Sequence, residues 1–516
     1  MLTPMFRIVL ISSVFIVGAC GGGGGGSSNT NNPPPINTTQ SDFDQGIFRS
    51  ERLFEAQCAI PRAGTNDAQG STSDENNWLR SWSNNLYLWY DEIVDEDPDA
   101  FTTPAYFDLM RTFELTPTGA ERDRFHFSLD TEEWERQSQT GVSAGYGANI
   151  ILISATRPRR AVIASVEAGS PADLAGLSRG TVITAVDGED LVNGTNTTVL
   201  NAGLFPSNTG ETHDFDIEDF DGSNPRSVTM VSADVVEETV PVAQIINTSA
   251  GPVGYMVFTS FIGPSEARLV NEIDTFATAG ITELVLDLRY NGGGFLDIAS
   301  ELAYMIAGPS FAQGRVFEQL EFNDKHPTTN PVTGASLAPD IFHTTTQGFS
   351  LASGSPLPTL SLNRVIILTT DSTASASESV INALRGIDFP VVLIGEPTTG
   401  KPYGFYPTDN CGTTYFTIQF RGINAKGFGD YADGFIPSEN PIEEFEVQGC
   451  DVPDDFTRQL GDTDEALLTT ALGYVSTSDC SARPNRAAPQ RAQRLLNAGD
   501  LPLAPQPRIP GRIGKR

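Results

Sequence analysis

A multidomain α/β fold is what this sequence predicts, and three observations carry the reading. The chain has 516 residues, about three domains' worth at ~150 residues each. Hydrophobic residues make up 39% and charged residues 19%, which supplies packed cores and excludes a wholly disordered chain. Between residues 252 and 425, apolar runs of strand length alternate with amphipathic helical patterns, the signature of helices layered on a sheet. The net charge of −33 repels phosphate backbones and anionic membrane surfaces, so nucleic acid is not an expected partner.

Residues 1–19 read as a secretory signal. Arg7 is a short positive region, and Ile8 to Ala19 is an apolar run too short to span a bilayer. The run ends in Val17-Gly18-Ala19-Cys20, which resembles a bacterial lipobox. That resemblance implies lipidation of Cys20, the lipid then being the only membrane attachment. Residues 20–45 (Gly21 to Gly26, then polar and Pro-rich) read as a flexible tether. Gly21 in place of Asp after Cys20 points to the outer membrane of a bacterial cell envelope, on its periplasmic or surface face. The remaining cysteines, Cys58, Cys411, Cys450 and Cys480, suit two disulfides in an exported protein, with three pairings open. No CxxC or HExxH spacing occurs, so neither a metal nor another cofactor is expected.

Residues 74–140 read as a small helical domain. Trp78, Trp82, Leu86, Trp89 and Ile93 recur at three- and four-residue spacing, one apolar helical face, and RDRFHFSLD continues the pattern. Residues 141–236 change to strands: GYGANIILISA, RRAVIASVEA, and RGTVITAVDGEDL with its Asp-Gly turn, plus the short helix SPADLAGL. This order resembles a PDZ domain. The resemblance places backbone amides of Gly145, Tyr146 and Gly147 against a peptide's terminal carboxylate, with the peptide added as a strand. A plain glycine turn is the alternative. Gly141-Val142-Ser143-Ala144-Gly145 matches GxSxG, but polar RQSQT precedes it and a strand follows, so Ser143 lacks the strand–turn–helix setting of a nucleophile.

Residues 250–475 form the α/β core, in which three loops follow buried strands. Asp287-Leu-Arg-Tyr-Asn291-Gly-Gly-Gly294 lets backbone amides turn inward, as an oxyanion hole requires; no Lys-Ser/Thr follows, so it is not a phosphate loop. Ser375 in Thr373-Ala-Ser-Ala-Ser-Glu378 opens a helix, whose N-terminus stabilises negative charge; a Ser-x-x-Glu capping box is the competing role. Lys401 follows Gly400 in a chain with only four lysines, at 325, 401, 426 and 515. Unlike arginine, lysine can lose its proton when desolvated; an ordinary solvated loop lysine is the other reading. The last part of the chain holds one helix (DEALLTTALGYV), a second Ala/Arg-rich one, and a basic tail over 485–516 that is expected to be mobile.

Together, DLRYNGGG, TASASE and TTGK resemble the S41 serine peptidases, the carboxyl-terminal processing or tail-specific proteases. The resemblance spans roughly 75–425, including the order helical region, PDZ domain, peptidase core. It implies a crotonase-like (ClpP/crotonase) α/β peptidase core with an inserted PDZ β-domain. It also implies a Ser375–Lys401 dyad, with Gly293, Gly294 and Ala376 amides as the oxyanion hole. The Lys401 amine must then titrate well below its ordinary value. The implied activity is a serine endopeptidase of the cell envelope, cutting near protein C-termini after PDZ capture of protein or peptide substrates. One departure stands out: many members carry Gln four residues after the lysine, and here that residue is Phe405. Tyr403 or Glu378 is expected to orient the amine instead. The missing Gln also supports the alternative, a non-catalytic PDZ-bearing lipoprotein with a degenerate core.

Overall fold

The computed structural model describes residues 43–484 and the backbone of Arg512–Ile513. The signal segment, Cys20 and the Ala/Arg-rich helix expected after residue 485 lie outside the described residues. The expected tether ends by Phe43: the Arg80 guanidinium lies 4.8 Å from its ring and donates to the Asp44 and Ile47 carbonyls.

Ser71 starts the first helix, Thr72–Leu86, by accepting the Asp74 amide while the Asp74 carboxylate accepts the Ser71 amide. Trp78, Leu79, Trp82 and Leu86 bury one face, with Trp78 and Trp82 stacked 5.0 Å apart. The expected stripe does not continue to Trp89 and Ile93. Tyr87 turns extended, and its buried hydroxyl donates to Asp123 and accepts the Thr112 amide. That polar anchor outweighs helical continuation and sends Trp89 edge-on against Tyr403, 4.8 Å away.

RDRFHFSLD is likewise not helical throughout. Phe127–Asp130 is a strand antiparallel to Thr413–Phe416, with Phe127 stacked on Phe416 at 4.3 Å. Its alternating Phe127 and Leu129 suit a sheet face, and pairing partners far along the chain decide the outcome. The Cys58–Cys411 disulfide ties the same region to the core.

Residues 142–236 form a sheet in the order Arg226–Val231, Thr212–Glu218, Val182–Val186, Arg160–Val166, Ala148–Ser154. Thr197–Leu204 is a helix packed on its Val186, Phe215 and Ile217 side. Asp187 and Gly188 both take positive φ in the tight turn to Glu189–Asp190. Ser143 lies within the Val142–Gly145 strand, paired with Ala233–Val236.

The core sheet runs Val242–Thr248, Gly251–Val257, Glu283–Asp287, Val365–Thr369, Val391–Gly395, Glu446–Asp451, Ile436–Ser438. All neighbours are parallel except the first pair. Its central strands are apolar throughout because helices cover both faces. Leu284, Leu286, Ile367 and Leu393 meet the helices Ser265–Ala279, Leu296–Ala307 and Ala376–Gly386. Val285, Ile366, Leu368, Val392 and Ile394 meet Ala466–Thr477, which the Cys450–Cys480 disulfide fastens to the sheet.

A second sheet packs beside the helices: Gly294–Phe295, Arg512–Ile513, Tyr403–Phe405, Phe420–Ile423, Val316–Phe322, Asp340–Ile341. Arg512–Ile513, within the expected basic tail, is a strand of this sheet, and the rest of that tail lies outside the described residues. Among the described residues, no helix is long and apolar enough to cross a membrane.

Candidate active site

The strands Glu283–Asp287, Val365–Thr369 and Val391–Gly395 are adjacent and parallel. Their following loops therefore emerge at one edge of the sheet, where α/β folds place ligands. The DLRYNGGG, TASASE and TTGK segments are those loops.

The first loop is anchored by buried charge. Arg289 pairs with Asp287 at 2.7 Å, Asp454 at 2.8 Å and Glu465 at 3.0 Å, and the Tyr255 hydroxyl donates to Asp287. Arg179, from the 142–236 domain, donates to the Tyr290 hydroxyl and pairs with Asp454. Gly293 and Gly294 take φ of +107° and +135°. A Cβ on Gly293 would stand 2.7 Å from the Ser375 Cβ and 2.9 Å from the Ala376 nitrogen. Only glycine allows this approach.

One expected feature differs. The Gly293 amide donates to Asn291 Oδ1 at 2.9 Å, and Gly294 pairs with Arg512 in the second sheet. Of the three expected oxyanion amides, that of Gly293 is committed to Asn291, while that of Ala376 lies in the first turn of an eleven-residue helix, where amides have no intrahelical partner.

Ser375 adopts φ +62°, ψ −113°, a strained conformation for a residue with a Cβ. It sits at the sharp turn into the helix Ala376–Gly386, fully buried, and its Oγ has no hydrogen-bond partner. The capping-box arrangement is present. The Glu378 carboxylate accepts the Ser375 amide at 2.8 Å, while the Ser375 hydroxyl faces the first turn of the helix without a hydrogen bond of ordinary geometry.

Glu378 does more than cap. One of its oxygens accepts the Ser375 and Lys401 amides, each at 2.8 Å; the other accepts the Gly400 amide at 2.7 Å and the Thr398 hydroxyl at 2.6 Å. A single carboxylate oxygen thus holds the backbones of residues 375 and 401 within two hydrogen-bond lengths of each other. Burial pushes the Glu378 carboxyl above its ordinary range, against the pull of these four donors. Further bonds close the seam: Thr399 N to Thr373 O, Ala374 N to Asn291 O, and the Thr373 hydroxyl to Leu288 O.

Lys401 is fully buried, with Nζ 4.4 Å from the Phe405 ring centroid and 4.9 Å from that of Phe125. Gly400 is required at φ +85°, since a Cβ there would lie 2.4 Å from the Ala432 carbonyl oxygen. Glu378 holds the Lys401 main chain, and Tyr403 packs against Trp89. Phe405, where many S41 members carry Gln, presents its ring to the amine.

Gly145 and Gly147 line a cleft with Ala148, Asn149, Glu167 and Phe205. The Tyr146 side chain is buried, its hydroxyl donating to the Gly203 carbonyl, so only its backbone is available there. His126 is stacked on Phe107 at 3.9 Å, and burial lowers its pKa. Among the described residues, no group of three or more His, Cys, Asp or Glu is placed to hold a metal ion. Asn291 and Phe125 complete the site. The Asn291 side chain donates to Phe258 O while accepting from Gly293, and it stands inside a motif already conspicuous. Phe125 reaches the site only through folding.

Residues 252–406 match the family model described as peptidase family S41. A carboxyl-terminal-processing protease of Picosynechococcus sp. is 26% identical over 243 residues, 45% of this chain and 49% of that protein. The chain thus spans about half the length of that relative. A Staphylococcus aureus protein described as a CtpA-like serine protease is 24% identical over 396 residues, 72% of this chain and 70% of its own. Among solved structures, a Bacteroides fragilis protein described as an S41 protease superposes with a TM-score of 0.57 at 26% identity, covering 78% of this chain and 97% of that one.

Proposed function

We propose that this chain, which carries a peptidase family S41 domain over residues 252–406, is a serine endopeptidase of the bacterial cell envelope that cuts polypeptides near their carboxyl ends. Ser375 is the nucleophile and Lys401 the general base. The observation that carries the reading is the shared Glu378 carboxylate, which pins both residues' amides while Ser375 Oγ stays unpartnered.

Ser375 Oγ attacks the scissile carbonyl carbon as its proton passes to Lys401 Nζ. The amine must be uncharged to accept it, and enclosure by Phe125 and Phe405 keeps bulk water away. Negative charge develops on the carbonyl oxygen, beside the Ala376 amide and the glycine loop. The intermediate collapses, and the departing amine takes the proton from Lys401. Water then attacks the acyl carbon, giving a proton to Lys401; the acyl–Oγ bond breaks, Lys401 returns that proton to Ser375 Oγ, and the carboxylic acid product leaves.

The 141–236 domain acts as a PDZ module. Its strand order, its helix Thr197–Leu204 and the glycine loop 145–147 support capture of a peptide's terminal carboxylate by backbone amides. Lipid on Cys20 holds the enzyme at the membrane.

Ser375→Ala and Lys401→Ala each abolish cleavage of peptides, followed by mass spectrometry of new termini, and leave the thermal unfolding of the protein intact. Full turnover by a folded Lys401→Ala protein overturns the dyad.

A further inference from the structure

The strand Arg512–Ile513 has partners on both sides. Arg512 stands opposite Gly294 on one flank and opposite Gly404 on the other, and Ile513 opposite Phe295 and Phe405; both pairings are parallel. The two flanks are the continuations of two of the catalytic loops. Gly294 is one residue beyond Gly293, and Gly404 three beyond Lys401.

Each flank is also committed on its far side, Gly294 to Phe261 and Tyr403–Gly404 to Phe420–Arg421. The slot between them is therefore one strand wide, and it begins beside Ser375. Left empty, it would expose two rows of amides and carbonyls that need partners. With the strand in place, Ser375 and Lys401 have no solvent exposure.

Parallel pairing gives the slot a direction. A peptide in it has its amino side toward Gly293 and Lys401 and its carboxyl side away from them. In that outward direction, starting at Leu296 and Tyr406, lies a pocket lined by Asp297, Glu318, Asp340 and His343. The sequence following the strand is Gly514-Lys515-Arg516, and residues 485–516 hold seven basic side chains against one acidic. In a chain with net charge −33, this concentration of positive charge is matched to the acidic pocket.

We propose that the slot between Gly294–Phe295 and Tyr403–Phe405 is a strand-binding peptide site whose resident occupant is this chain's own basic segment beginning at Arg512, and that the acidic pocket beyond selects basic residues on the leaving side of a peptide. The inference deepens the peptidase reading and rests on it. The segment competes with substrates for the slot by supplying the same main-chain bonds.

The test uses the Ser375→Ala protein, full length and with 512–516 deleted. Fluorescence anisotropy follows a fluorescein-labelled Pro-Gly-Arg-Ile-Gly-Lys-Arg peptide. The deleted protein binds it at least tenfold more tightly than the full chain. The same peptide ending in Ala-Ala, or the Asp297→Asn/Asp340→Asn double variant, loses that gain. Equal affinity in the two chains overturns the occupancy, and indifference to both charge changes overturns the selectivity. With Ser375 restored, deletion raises the cleavage rate of a reporter peptide at least fivefold. Binding that follows the expectation while neither chain cleaves sinks the peptidase reading and leaves this one standing.

Discussion

Glu378→Gln separates the geometry of the site from its mere composition. The substitution is isosteric, yet it turns one carboxylate oxygen into an amide nitrogen that cannot accept. Turned one way, the amide nitrogen faces the Ser375 and Lys401 amides; turned the other, it faces the Gly400 amide and the Thr398 hydroxyl, which can rotate to accept from it, so one or two donors lose their acceptor. A hydrogen bond to a charged group contributes about 1.5–3 kcal/mol, so the loss amounts to about 1.5–6 kcal/mol. Relief from burying a charge offsets part of this, leaving a net destabilisation of about 1–4 kcal/mol, against a whole-protein stability of about 5–15 kcal/mol. The loss falls on the seam between the nucleophile and lysine loops. A shift of about 1 Å there lowers kcat about a hundredfold, with KM less affected, because the cleft walls are untouched. The assays are kcat and KM on a fluorogenic peptide and the urea midpoint of unfolding. Burial raises the Glu378 carboxyl, so the wild type loses activity on acidification above the ordinary carboxylate range. The Gln variant lacks this Glu378 contribution and keeps only the limb set by protonation of Lys401. A variant retaining half of wild-type kcat with an unchanged midpoint refutes the reasoning.

Gly293→Ala places a methyl group 2.7 Å from the Ser375 Cβ at a φ of +107°. It abolishes turnover and fluorophosphonate labelling of Ser375 while far-UV circular dichroism stays native. Arg179→Met removes the pairing with Asp454 and the bond to Tyr290 but leaves Asp454 its Arg289 partner. The destabilisation is about 2–4 kcal/mol, read as faster hydrogen exchange at 142–236 and at the 287–294 loop. Burial, with Glu266 nearby, raises Glu301 to about 9. Its bound proton contributes stability that is full below its ordinary 4.5 and is lost as pH rises through about 9. Glu301→Gln removes this loss, so its urea midpoint gains on the wild type as pH climbs from 5 to 9. Cys58→Ser/Cys411→Ser opens the clasp between the amino-terminal region and the core, costs about 2–4 kcal/mol, and admits limited proteolysis before Thr72.

The α/β layers were legible because their signals are local. Strands such as Glu283–Asp287 and Val365–Thr369 are apolar on both faces, and Gly280 ends its helix in the left-handed conformation. The reading failed where partners distant in sequence intervened. Trp89 left its helical stripe because the buried Tyr87 hydroxyl needed Asp123, and Phe127–Asp130 became a strand because Thr413–Phe416 offered an edge. Disulfide pairing was open for the same reason: Cys58 and Cys411 are 353 residues apart.

The sequence by itself determined which residues bear the candidate chemistry, because glycine, serine and lysine each do something no neighbouring residue type can. Glycine alone reaches the φ of positions 293 and 400, serine supplies a hydroxyl at a helix start, and lysine is a base an arginine cannot be. Tertiary structure alone decided how they are held. Glu378 ties two loops through main-chain amides, which carry no sequence signature. Phe125 and Phe405 close over the amine from different parts of the chain. The slot beside Ser375 is filled by a strand more than a hundred residues farther on, because two backbone edges need hydrogen-bond partners whatever side chains those partners bear.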